Sequence, residues 1–184
     1  SEDGLQYRFE LRRNVKWHDG QPFTAADVVY SIGLLKSAHP RGRTTFANLL
    51  ESGAVDEHTV VLKLSKPAPY LLYALAAGES PIVPRHIYDG KGDPLQNPNN
   101  RAPVGTGPFV FKEWVLGNYV GYVRNPNYWD SPKPYLDALL VRVIPDGAAR
   151  AVAFETGELD LGGSTPVSPL DLERFRSLPH LGQE

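Results

Sequence analysis

Two arginines stand close together in His39-Pro-Arg-Gly-Arg-Thr-Thr-Phe46, with a glycine between them and an aromatic ring after them. A guanidinium pairs bidentately with a carboxylate or phosphate. Arg41 and Arg43, with Phe46 beside them, are therefore candidates for holding an anionic ligand group. The alternative for this stretch is a solvated connection. The second candidate is Gly162-Gly163-Ser164. Two glycines remove side-chain bulk, so a ligand can approach the backbone, and Ser164 adds a hydroxyl. Its alternative is a flexible turn.

Other chemistry finds no seat. The five histidines, His18, His39, His58, His86 and His180, are isolated, and none stands in His-x-x-x-His spacing. Cysteine is absent, which removes disulfides, thiolate nucleophiles and thiolate-bound metal. There is no Gly-x-Ser-x-Gly elbow. Glu155 and Glu158 read as exposed residues at a helix end rather than a catalytic pair. Gly105-Thr-Gly107 lacks a third glycine and a following Lys-Ser/Thr, so it is a poor phosphate cradle. No catalytic residue, metal ligand or cofactor is assigned.

The elements that must position these residues follow from pattern. Tyr7, Phe9 and Leu11 alternate with Arg8, Glu10 and Arg12, a half-buried strand that Val15 and Trp17 extend to the Asp19-Gly20 turn. Thr24 with Asp27 makes a capping box, and Val28, Ile32 and Leu35 predict a helix over about 25–36. Thr59–Leu64 is a strand with Val60, Leu62 and Leu64 on one face, and Val55 pairs back across Asp56-Glu57-His58 as a hairpin. Short helices are expected at 70–75 and 81–88, then an irregular loop over 89–102. Pro103-Val-Gly-Thr-Gly-Pro-Phe109 is a rigid corner. Strands follow at 109–114 and 119–124, with Tyr128 and Trp129 as core plugs or a cleft wall. Leu139–Ile144 is a near-continuous apolar run, as in a strand covered on both faces. Asp146 caps a helix that ends at Gly157, and Leu159-Asp-Leu161 is read as a second strand, completing a βαβ unit. Ser168-Pro-Leu-Asp171 opens a last helix. In open α/β sheets ligands sit beyond the carboxyl ends of strands. Those ends here are Pro145-Asp146 and Gly162–Ser164.

The 184 residues are 41% hydrophobic and 22% charged, with a net charge of -2. That is a globular composition, allowing one ordinary domain or two small lobes. Lys and Arg are scattered, which argues against nucleic acid. No run approaches a membrane span, and Ser1-Glu-Asp-Gly is not a signal peptide. Methionine is absent even at position 1, which predicts a processed or excised piece.

Four segments together carry a resemblance. Tyr7-Arg-Phe-Glu-Leu-Arg-Arg-Asn-Val-Lys-Trp-His-Asp-Gly-Gln-Pro-Phe-Thr-Ala-Ala-Asp-Val-Val-Tyr-Ser31 resembles the signature of family 5 extracellular solute-binding proteins, the peptide, dipeptide, glutathione and nickel receptors of ABC importers. Pro103–Phe109, Arg124-Asn-Pro-Asn-Tyr-Trp129 and Ile144–Asp146 through Phe154–Asp160 are similar to that family in the same order. The resemblance implies a mixed α+β fold of the α/β class, a partial type II periplasmic binding protein of cluster C. Residues 1–88 would be the small accessory lobe, 89–102 a connecting loop and 103–184 part of the first ligand-binding lobe. The chain would be an internal fragment. The acidic residue that pairs with a peptide's amino terminus lies in a lobe with no counterpart here.

The implied function is non-catalytic binding of peptides or similar small polar solutes. The partners would be the membrane permease and ATPase subunits of an ABC importer, with no nucleic acid. The receptor would be a monomer in the periplasm, or extracellular and membrane-anchored in a Gram-positive cell. The alternative within the family is a nickel or metal-chelate receptor. Arg41 and Arg43 resemble the arginine loop of nickel relatives, but Ala76-Ala-Gly-Glu79 stands where those carry an arginine. The alternative of another class is an α/β hydrolase-like enzyme domain.

Overall fold

The computed structural model describes residues 1–76, 78–162, 168, 172–176 and 178. It divides into two compact units, Ser1–Trp114 with Gly121–Leu139, and Val115–Val120 with Leu140–Glu184.

The first unit is built on an antiparallel sheet of β1 (Gln6–Glu10), β3 (Thr59–Leu64) and β2 (Leu49–Asp56), in the order β1-β3-β2. Tyr7 lies opposite Leu62 and Phe9 opposite Val60, so the alternating apolar residues share one face. Val60, Leu62 and Leu64 are buried there. Helix α1 (Ala25–Ala38) closes that face with Ala25, Ile32 and Leu35. Burying each large aliphatic side chain is worth about 1.5–3 kcal/mol. The β2–β3 hairpin turns at Glu57-His58, where the Asp56 carboxylate accepts from the His58 N–H at 2.8 Å. Strand β2 begins six residues before Val55, because Leu49 is buried opposite Leu64 and the intervening Glu51 and Gly53 continue the ladder.

Short helices α2 (Gly42–Thr45), α3 (Leu71–Ala74) and α4 (Arg85–Tyr88) follow the sequence's breakers. A second sheet has the order β4 (Phe109–Val115), β5 (Tyr119–Arg124), β6 (Ala138–Arg142). Helix α5 (Gly147–Glu155) starts at Asp146, whose side chain accepts from the Ala149 N–H at 2.7 Å. It ends in a Schellman motif. Gly157, at φ +72, donates to Phe154, and Glu158 donates to Ala153. Helix α6 (Leu172–Arg176) places Phe175 against Ala151 and Phe154 of α5.

Two expectations are corrected. Leu159–Leu161 is not a strand, so the expected βαβ unit is not formed by these residues. The Leu159 N–H donates to the Ala153 carbonyl and its side chain packs on the α5–α6 cluster, so it helps close the helix instead of joining a ladder. Nor is β6 covered on both faces: Leu139, Leu140 and Val141 are 38%, 56% and 47% exposed. The apolar face of α5 meets Phe175 and Leu159, which leaves β6 without that cover. The expected opening of the last helix at Pro169 and Asp171 lies outside the described residues.

Candidate ligand-binding surface

The signature segments meet as a set of joints in the first unit. Asp27, at the third position of α1, is buried. Its carboxylate accepts from the Thr24 N–H at 2.8 Å, the Trp17 indole N–H at 3.3 Å and the Arg85 N–H at 2.9 Å. One capping carboxylate therefore fastens the 17–24 turn to α1 and to the start of α4. His18 performs the same service for the 103–109 corner. Its Nδ1 accepts from the Gly105 N–H at 3.1 Å, which leaves the ring proton on Nε2, 3.0 Å from the Gly107 carbonyl. Asn125 adds a bond to the same carbonyl at 3.0 Å. The Arg12 guanidinium lies over Trp129, 4.1 Å from the ring centroid. These residues hold the framework together.

The arginine turn sits at the end of α1. Gly42 packs so closely that an added Cβ would lie 1.8 Å from the Leu35 carbonyl oxygen. Only glycine allows the turn to lie there, and the flanking arginines are pushed outward. Both are exposed. Arg41 pairs with Glu79 at 2.6 Å, in a bridge open to solvent. Phe46 does not join them at the surface: it is 1% exposed and packs in the core with Ile32 and Leu49. A phenyl ring after a polar turn is drawn to the apolar side, so Phe46 anchors the turn from beneath and offers no face to a ligand.

Beside the turn is an apolar cleft of about 360 Å³, walled by Leu34, Ala38 and Pro40 on one side and Val83, Tyr88 and Leu95 on the other. The Tyr88 hydroxyl donates to Asn100 Oδ1 at 3.0 Å. Burial, reinforced by neighbouring Tyr30, pushes the Tyr88 phenol up, so it stays a protonated donor. The cleft can accept an apolar side chain within reach of a guanidinium-bearing turn. Sequence reading missed it because its walls come from α1 and from residues some fifty positions later. Among the described residues no group of three or more His, Asp or Glu could hold a metal ion.

In the second unit, Gly162 is partly exposed, while Gly163 and Ser164 lie outside the described residues. Beyond β6, the Arg150 guanidinium donates to the carbonyls of Ile144 and Pro145 at 2.7 and 2.8 Å. Asp146 is engaged as the α5 cap. The groups at this end are thus already bonded within the chain. No helix among the described residues is long and apolar enough to cross a membrane.

The model of bacterial extracellular solute-binding proteins, family 5, matches residues 1–182. The chain belongs to this family. The oligopeptide-binding protein AppA of Bacillus subtilis is 33% identical over 180 residues, covering 95% of this chain and 33% of the relative. The structure of that family member with a nonapeptide superposes with a TM-score of 0.82 at 29% identity, over 96% of this chain and 35% of the other. Another family 5 structure, NikZ from Campylobacter jejuni with Ni(L-His), gives a TM-score of 0.81 at 28% identity, again over 96% and 35%. The chain has the mixed α/β fold of these periplasmic binding proteins and spans about a third of their length.

Proposed function

We propose that this chain forms part of the substrate-binding component of an ABC importer and contributes to the capture of peptides without catalysing a reaction. The observation that carries the reading is the match of nearly the whole chain to a family whose compared member is an oligopeptide-binding protein. The surface supports it: a pinned turn presents Arg41 and Arg43 beside an apolar cleft, a pairing suited to a carboxylate and an apolar side chain of one ligand. Gly162, Gly163 and Ser164 are a separate candidate, whose backbone groups would suit a peptide main chain. The receptor would act as a monomer outside the cytoplasm, delivering its ligand to the permease and ATPase subunits.

The nickel-chelate reading keeps one point in its favour, the likeness to NikZ with Ni(L-His). Against it, the position near Ala76–Glu79 offers Glu79, whose carboxylate is engaged by Arg41.

Calorimetry on a receptor carrying this chain with the remaining length of its relatives decides between them. Peptides of two to nine residues are expected to bind with micromolar or tighter affinity, about -8 kcal/mol or better. Arg43→Ala is expected to weaken a peptide with a free carboxyl terminus by about 1.5–3 kcal/mol. Binding of nickel–histidine without any peptide response overturns the reading. The chain alone, with only part of a cleft, is expected to bind peptides no more tightly than about 1 mM.

A further inference from the structure

A second cavity, of about 420 Å³, lies elsewhere in the first unit, lined by Leu11, Arg12, Arg13, Asn14 and Trp129. Its walls bring two guanidinium groups, a carboxamide, an indole ring and an aliphatic side chain together, with no carboxylate among them. We propose that this cavity is a binding site for a small organic anion, a carboxylate or phosphate monoester carrying a flat apolar part.

The backbone of the wall is anchored by the fold. Leu11 is tied by its N–H to the His58 carbonyl at 2.7 Å, and Val15, just beyond Asn14, is buried. The short 11–14 segment is therefore held at both ends. Trp129 is steadied from the other side. It packs on Tyr128 at 5.2 Å between centroids, and Asn125 bonds back to the 107–108 backbone. Arg12 lies on the indole face at 4.1 Å. A guanidinium stacked on an aromatic ring keeps its in-plane N–H groups free for an anion and has already lost much of its rotamer freedom. Pre-organisation of this kind lowers the entropy lost on binding.

Arg8, Arg41, Arg85 and Arg124 each form an ion pair with a carboxylate. Among the described residues Arg12 and Arg13, like Arg43 and Arg101, form no such pair, although the Arg13 charge also acts on the Asp56 carboxylate. The volume lies within the range of small-molecule sites, and a planar apolar group would find the Trp129 edge and Leu11. A bidentate contact to either arginine would fix the anionic head.

The test uses the three tryptophans as internal reporters. The isotope-labelled protein is titrated with benzoate, phenyl phosphate and inorganic phosphate while the indole N–H signals are followed. Trp17 is buried and Trp114 lies on β4, so both serve as controls. Saturable movement of the Trp129 signal at millimolar or lower benzoate or phenyl phosphate is expected. Arg12→Ala and Arg13→Ala are each expected to weaken it at least fivefold while the Trp17 signal stays in place, which shows that the fold survives. Whichever probe saturates first identifies the head group as carboxylate or phosphate. No saturation by 10 mM of either organic probe overturns the proposal. So does unchanged affinity in both arginine variants, and so does equal affinity for inorganic phosphate and phenyl phosphate, which would remove the apolar wall from the site.

Discussion

His18 and Gly105, far apart in the chain, bind each other in both directions. The His18 N–H donates to the Gly105 carbonyl at 2.8 Å, and the Gly105 N–H donates to the His18 ring at 3.1 Å. The ring then reaches on to the Gly107 carbonyl. The Gly-Thr-Gly corner is thus held by a side chain from the signature segment. His18→Ala would leave the Gly105 N–H, which is partly buried, without its acceptor. We expect a loss of about 1–3 kcal/mol in urea unfolding. An unchanged midpoint would assign the corner's rigidity to its prolines instead.

Asp27 carries more bonds than a helix cap needs. Replacing it by Asn keeps the shape but turns one oxygen into a donor, facing either the Arg85 N–H or the cluster at Thr24 and Trp17. Asp27→Asn is expected to lower stability by about 1.5–3 kcal/mol. The fluorescence of Trp17 should change with it. Loss of stability without any change at Trp17 would confine the damage to the cap.

Gly42 sets the arginine turn against α1. Gly42→Ala brings a Cβ to 1.8 Å from the Leu35 carbonyl, so the backbone must move apart. Overpacking of this kind costs about 1–3 kcal/mol. Thermal unfolding measures the loss. Wild-type stability would mean that the end of α1 yields freely.

Asp56 makes the hairpin turn sensitive to acid. Its carboxyl is held below the ordinary value of 3.8, first by the His58 N–H and next by the Thr59 hydroxyl. A folded-state value below the unfolded one contributes stability that is present above 3.8 and lost as pH falls through the lowered value. Asp56→Asn should therefore unfold at a lower temperature than the parent at neutral pH. The difference should narrow as pH falls below 3.8 and through the lowered value, as the parent carboxyl becomes protonated as well. A gap that persists undiminished in acid would show that the loss is not linked to ionisation.

Much of this protein was legible one segment at a time. The capping box at Thr24 and Asp27 and the Asp146 and Gly157 ends of α5 are governed by bonds within a few residues, and the alternation at Tyr7–Leu11 by the two-residue period of a strand. Local spacing is enough to specify such bonds, and the order of four motifs was enough to place the chain in its family. What the sequence left open depends on surfaces that meet across long separations. Phe46 faces inward because the core of α1 and β2 lies beneath its turn. Glu79 is the partner of Arg41 because α3 and the residues after it bring it back beside α2. An apolar run such as β6 reads as doubly covered, but burial belongs to the elements packed on a strand rather than to the strand, and α5 turns its apolar face to Phe175. Leu159 has the composition of a strand residue, yet its N–H goes to the end of α5. A backbone N–H can donate its one hydrogen to a cap or to a ladder, and only the tertiary arrangement decides which acceptor is near enough to take it.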